Sequence, residues 1–417
     1  LQAFGETADT SGTINNRAPV VGSFSRSPEP VVNAGGLVTL RAGGVIDPDG
    51  TIDFVQFYRD ADGNGQLDTE VDTLLGTDTN SAGGWQIAVA TSDFPTGTNR
   101  YFARAVDNDE SVSNTVTVTG RVNAAPSFTT FAAGASTVVR KTTLALSASG
   151  ASDSDGTINR VEFYRDTNAN GTFEAGTDTL LGSDSSASSG NYTFNVNTTG
   201  FTTGTNTFFS RVRDNNGAYS AARTITAEVT NVAPTIASMS RSVATLANLG
   251  DSLTLTANTV ADSDGTVASV QFYRDVDGNG LLDVNVDSLL GTDSSSVGGF
   301  ALTVNTNFFT AGTNRYFARA VDSDGDTSNV VTVTNVVNAA PTATSLTVSP
   351  GTISRAATYT LTVSGAADTD GTISRVEFYR DRGIAGTFES SVDQFLGNGT
   401  FTGGVYHLTL NGSSLAI

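Results

Sequence analysis

The residues best placed to do chemistry are oxygen donors at alternating positions, each set following a Phe-Tyr-Arg triplet. The first set is Asp60, Asp62 and Asn64, then Gly65, Asp68 and Asp72. The second is Asp166, Asn168, Asn170, Gly171, Glu174 and Asp178, and the third Asp275, Asp277, Asn279, Gly280, Asp283 and Asp287. In a tight loop, alternate side chains converge on one point, and glycine at the sixth place permits the sharp turn that brings the next carbonyl inward. Hard oxygen donors without histidine or cysteine favour calcium over zinc or copper. The competing reading is a solvated loop of Asx turns. A fourth copy, Asp381-Arg382-Gly383-Ile384-Ala385-Gly386, lacks donors at its third and fifth places, and Arg382 offsets part of the remaining charge.

A second acidic set pairs Asp47 and Asp49 with Asp107 and Asp109, Asp153 and Asp155 with Asp214, and Asp262 and Asp264 with Asp322 and Asp324. Each group is expected at one pole of its unit beside the incoming linker, either holding a cation or forming an ordinary Asp-x-Asp-Gly turn. His407, the single histidine, reads as a surface residue, and Trp85 aligns with Tyr192 and Phe300 as core. Catalysis needs an activated nucleophile, an acid–base pair or an open metal site. With no cysteine and one histidine, and with the acids repeated in every copy, no enzymatic activity is expected.

These loops sit inside an internal repeat. Asp-x-Asp-Gly-Thr begins at Asp47, Asp153, Asp262 and Asp368, and Phe-Tyr-Arg-Asp at Phe57, Phe163, Phe272 and Phe378. Leu-Leu-Gly follows at Leu74, Leu180 and Leu289, with Phe395-Leu396-Gly397 as the fourth version. Gly-Thr-Asn starts at Gly97, Gly204 and Gly312, and Arg-x-x-Asp at Arg104, Arg211 and Arg319. Asn-x-Ala-Pro linkers begin at Asn16, Asn123, Asn231 and Asn338. The expected units are 19–123, 124–231, 232–338 and an incomplete 339–417, with 1–18 as the end of a preceding unit or a donor strand.

The elements that must position the loops are short strands. Val38–Arg41, Leu144–Ser147 and Leu253–Thr256 alternate as half-buried strands do. Val161 and Phe163 point inward while Arg160, Glu162 and Tyr164 point outward; the outward arginines are expected to pack their stems on neighbouring rings. Strands broken by Gly and Asn, in units of about 100 residues, predict all-β tandem immunoglobulin-like β-sandwich domains in a linear array. The run from Asp153 through Val161-Glu162-Phe163-Tyr164 to Ser210-Arg-Val-Arg-Asp-Asn-Asn-Gly217 resembles bacterial Ig-like repeat domains, and is similar to PKD and cadherin-type modules. That resemblance implies a surface-protein or secreted-protein module, and is specific for fold rather than function. The acidic loops resemble the start of an EF-hand or dockerin calcium loop. They depart from it at the twelfth place, which is Val71, Thr177 or Val286 with an Asp one residue later, and in lacking flanking helices.

Charge narrows the partners. Asp and Glu number 42 against 22 Lys and Arg, a net charge of -20 that repels nucleic-acid phosphates and anionic lipid. No apolar run is long enough to span a bilayer. The chain opens at Leu1 rather than methionine and stops partway through its fourth copy, so a section of a longer repeat protein is expected, with strand donation between copies as the alternative. The functional expectation is a bacterial extracellular structural or adhesive repeat protein, a fibre, surface-layer component or adhesin stalk rigidified by calcium. Its partners would be neighbouring copies, further repeats or a cell-envelope ligand. The alternative is the accessory region of a larger secreted enzyme.

Overall fold

In the computed structural model, which describes residues 15–414, the chain forms two compact units, Leu1–Thr230 and Asn231–Ile417. The first sandwich sets the pattern. Its strands are β1 (Ser23–Ser27), β2 (Val31–Asn33), β3 (Leu37–Gly43), β4 (Ile52–Arg59), β5 (Thr73–Asp78), β6 (Trp85–Ala90), β7 (Gly97–Asp107) and β8 (Val116–Asn123). One sheet has the order β1-β3-β6 and the other β2-β8-β7-β4-β5. All pairs are antiparallel except β2 with β8, which run parallel from Val31↔Arg121 to Asn33↔Asn123. Alternation explains the core: Val38, Leu40 and Ala42 of β3 face Val55 and Phe57 of β4 and Tyr101, Ala103 and Ala105 of β7. Trp85 packs on that core, as its alignment with Tyr192 and Phe300 predicts.

The second sandwich repeats this order, with sheets built on Thr143–Ser149 and on Gly204–Asp214. In the other unit, strands from Thr235–Arg241 to Val331–Val337 form a third sandwich of the same topology. They are followed by a four-stranded sheet from Ser345–Ser349 to Val405–Asn411 and a two-stranded one, Glu377–Arg380 with Gln394–Asn398. The chain is thus a tandem of all-β sandwiches, with one short 3-10 turn at Gly412–Ser414 as the helical element among the described residues. The reading of residues 1–18 as a donor strand falls mostly on residues outside those described.

Two repeated landmarks have structural causes. Leu-Leu-Gly lies where the two sheets approach: a Cβ on Gly182 would come within 2.2 Å of the Phe194 ring. In Gly-Thr-Asn, the buried Asn99 folds back to donate to the Pro95 and Gly97 carbonyls at 2.8 and 3.2 Å, closing the turn before the long strand.

Candidate metal centre

Each acidic loop joins the strand ending in Phe-Tyr-Arg to the next strand, and a register shift precedes it. The irregularity falls between Phe57 and Tyr58, Phe163 and Tyr164, Phe272 and Tyr273, and Phe378 and Tyr379. Bulges of this kind re-aim the chain at the end of a strand.

The loops are held by their own carboxylates. Asp60 accepts the N–H of Gly63 on Oδ1 (2.7 Å) and of Gly65 on Oδ2 (3.0 Å). Asp62 accepts the Asn64 N–H, and Asn64 Oδ1 accepts that of Gln66. Asp72 is the clamp: its Oδ1 accepts Ala61 N–H at 2.9 Å and its Oδ2 accepts Asp68 N–H at 2.9 Å. A helical turn over 68–72, with Asp72 N–H on the Asp68 carbonyl, presents the clamp residue to the loop centre. The loop Asp275–Asp287 has the same bonds, with Asp287 accepting from Val276 and Asp283.

This arrangement gathers three carboxylates. Oxygens of Asp60, Asp62 and Asp72 lie within 4.8 Å of one another, and so do those of Asp275, Asp277 and Asp287. Two charges at such separations repel by about 1 kcal/mol in water, and by several times that where solvent is partly excluded. Asp72 and Asp287 are each 6 % exposed. A divalent cation at the centre would convert these repulsions into attractions, and an oxygen-only donor set would suit calcium. Asp68 and Asp283 stand outside the trios and instead cap their turns, accepting the N–H of Glu70 and of Asn285.

Asp178 is the corresponding clamp of the second loop, and Asp166 accepts Gly171 N–H there at 2.8 Å. Asn168 and Asn170 both donate to Glu174 Oε2. In the fourth loop Asp393 keeps the clamp role, while Glu389 turns inward to accept Ile384 N–H at 3.0 Å. The clamp Asp therefore serves the fold of the loop whether or not the other donors are present.

The loop also folds back over the outer face of its sheet. Phe173 packs edge-on against Tyr164 at 4.8 Å and tilts against Phe209 at 5.6 Å. Beneath it Glu162, 3 % exposed, accepts from Tyr164 and pairs with Arg160 and Arg211 at 2.6 and 2.9 Å. Arg211 lies over the rings of Tyr164, Phe173 and Tyr219, as the outward arginines were expected to do within their own units. The outward face is nonetheless buried, because the loop covers it. Burial pushes the Tyr164 hydroxyl up to about 12, helped by the neighbouring Glu162 charge.

The second acidic set lies where each linker meets the following sandwich. Asn16, Asn123 and Asn231 donate Nδ2 to Asp107, Asp214 and Asp322 at 2.8, 2.7 and 2.7 Å. The next backbone N–H, on Arg17, Ala124 or Val232, donates to Asp49, Asp155 or Asp264. Six of these eleven acids thus hold the linker by hydrogen bonds. Asp47, Asp153 and Asp262 each keep one enclosed oxygen without a donor. Burial and the adjacent carboxylates of Asp155 and Asp214 raise the pKa of Asp153. Burial acts the same way on Asp107 and Asp322, but there the bonds from Asn16 and Asn231 and from local backbone N–H groups prevail and lower it. Sequence reasoning missed the linker asparagine as a partner of these acids; its recurrence ahead of every copy was the available signal.

No protein-family model matches the chain, and no curated protein matches it. Among solved structures, it is similar to the fibronectin(III)-like modules of Clostridium thermocellum CbhA at 22 % identity and a TM-score of 0.28, covering 50 % of this chain and 94 % of that one. It is also similar to a three-Ig segment of titin at 13 % identity and a TM-score of 0.32, covering 78 % of this chain and all of that one. The sandwich assignment rests on the strand orders given above. Among the described residues, no helix is long and apolar enough to cross a membrane.

Proposed function

We propose that this is a non-catalytic, extracellular structural or adhesive repeat protein of a bacterial cell surface, whose sandwich domains are rigidified by calcium bound in the Asp60–Asp72 and Asp275–Asp287 loops. The observation that carries the reading is the carboxylate trio within 4.8 Å, present twice in the same strand context. Asp72 pins Ala61 and Asp68 and stands directly before the strand Thr73–Asp78, which couples a bound ion to the strands. The absence of cysteine and the strongly acidic surface accord with an exposed location, and the repeated joints accord with partners that are further repeats or copies.

Thermal unfolding of the full chain in calcium chloride and in EGTA tests this. Binding to the folded state alone stabilises by about 0.4 kcal/mol per site at a calcium concentration equal to Kd and by about 1.4 kcal/mol at ten times Kd. Extracellular modules of this kind bind at roughly 10⁻⁴–10⁻³ M, so millimolar calcium is the working range. Calcium should raise the unfolding temperature, and Asp62→Ala together with Asp277→Ala should remove most of the rise. Identical curves with calcium and with EGTA would refute the reading.

A further inference from the structure

The loop Asp166–Asp178 contains no close carboxylate trio, yet it holds the most exposed contradiction in hydrogen bonding among the loops. Asp166 is 7 % exposed, and its Oδ1 is shut from solvent with no hydrogen-bond partner. In the first and third loops the equivalent oxygen accepts an N–H from Gly63 or Gly278, each at 2.7 Å. In the second loop Ala169 takes that place, in the left-handed region at φ 57, and no N–H reaches Asp166 Oδ1. An enclosed anionic oxygen without a donor is costly, and a cation is the group that relieves it. The remaining donors are Asp178, 6 % exposed, the Glu174 carboxylate, and the amide oxygens of Asn168 and Asn170.

We infer that Asp166–Asp178 is itself a divalent-cation site, less preassembled than its two counterparts, so that calcium loads the chain in two stages. The inference rests on the reading of the first and third loops as calcium sites. Asn168 stands where they have Asp62 and Asp277, so the third carboxylate must come from Glu174, which is held instead by the Asn168 and Asn170 amides and forms no close trio with Asp166 and Asp178. Affinity in such loops is set by ligand charge and site rigidity. A second difference runs the other way: Arg100 and Arg315 lie against Gly65 and Gly280, whereas Thr207 is the equivalent in the second sandwich. Those guanidiniums oppose a cation, but among the described residues neither forms an ion pair with the trio, so each stands farther from the centre than a coordinating carboxylate. Because Coulomb energy falls with distance, the close carboxylate missing at the third place outweighs the missing arginine.

Isothermal titration of calcium chloride into the full chain, stripped beforehand with EGTA, reads the stages directly. Two tighter sites and one weaker by about tenfold are expected. Asp166→Asn should delete the weaker step and leave the tighter pair, with strand content checked by circular dichroism. Asn168→Asp should bring the weaker site into the tighter class, and it tests the same point if Asp166→Asn does not fold. Two sites unaffected by either variant would overturn the inference while leaving the first and third loops as calcium sites. Three equal sites would overturn the two-stage loading. No calcium binding at all would overturn the inference through the reading beneath it.

Discussion

Asn123 and Asp214 are 91 residues apart and meet through a single hydrogen bond of 2.7 Å, Nδ2 to Oδ2, with both residues no more than 1 % exposed. The backbone of Asn123 closes one sandwich as the last residue of β8, while its side chain completes the next. Asn216 donates to Asn123 Oδ1 at 2.7 Å, so the amide is satisfied on both sides.

Removing this amide should destabilise the second sandwich. Asn123→Ala strands a buried charged acceptor, a change that costs about 1–3 kcal/mol. The unfolding temperature measured by calorimetry should fall accordingly. Asn123→Asp should fall further at neutral pH, where two carboxylates would face each other, and recover part of the loss in acid. Equal unfolding temperatures for wild type and Asn123→Ala would remove the clamp as a source of stability.

Acid sensitivity should trace in part to Glu162. Burial pushes its carboxyl up, but bonds from Tyr164, Arg160 and Arg211 outweigh burial and hold it below the usual range. A depressed folded pKa adds stability above the unfolded value of about 4.3, lost as pH falls through the folded value. Gln56 and Gln271 occupy this place in the first and third sandwiches, accepting from Arg104 and Arg319 at 2.9 and 2.8 Å. Glu162→Gln should therefore fold, and its stability should decline less steeply below about pH 4.3. Denaturant midpoints from pH 2.5 to 7 check this; parallel profiles would exclude Glu162 as a contributor.

Ala169 in the left-handed region should be a local weak point. That conformation costs a non-glycine residue roughly 1–2 kcal/mol. Part of the gain on introducing glycine is returned through the freer unfolded chain. Ala169→Gly should raise stability by about 0.5–1 kcal/mol, and Gly63→Ala, at φ 75, should lower it by a similar or larger amount. Urea midpoints of the two variants should move in opposite directions.

Phe173 should matter more than its place in an acidic loop suggests. Complete burial would make a Phe→Ala change cost about 3–5 kcal/mol; half-buried Phe173 should cost about half of that. Hydrogen exchange should then speed up at Tyr164 and Phe209, beneath the missing ring, and leave the first sandwich untouched. Unchanged protection at those amides would mean the loop does not seal the face.

Much of this architecture was legible in the chain. Alternation at Val161 and Phe163 and the phase of Asp-x-Asp-Gly locate strands and turns, because both depend on local geometry. What covers a face is not local. Tyr164 and Glu162 read as outward, yet both are buried, Tyr164 against Phe173 of the loop and Glu162 among Tyr164, Arg160 and Arg211. Asp68 and Asp283 likewise read as ligands beside Asp60 and Asp275, since periodicity cannot separate a carboxylate that caps a turn from one that faces the loop centre. Asp72 was placed among the donors, but its role in pinning Ala61 and Asp68 depends on a closed loop that spacing alone does not describe.

The parallel pairing of β2 with β8 has a mechanical consequence. Tension along the chain enters β2 at its leading end and leaves β8 at its trailing end, so the two strands are pulled past each other. The backbone bonds between Val31–Asn33 and Arg121–Asn123 then share the load in shear and must yield together, unlike antiparallel strands peeled apart one rung at a time. The same short parallel contact recurs between Thr137–Val139 and Glu228–Thr230, and between Thr245–Leu246 and Val336–Val337. The last is two residues long instead of three, which makes the third sandwich the mechanical fuse among them.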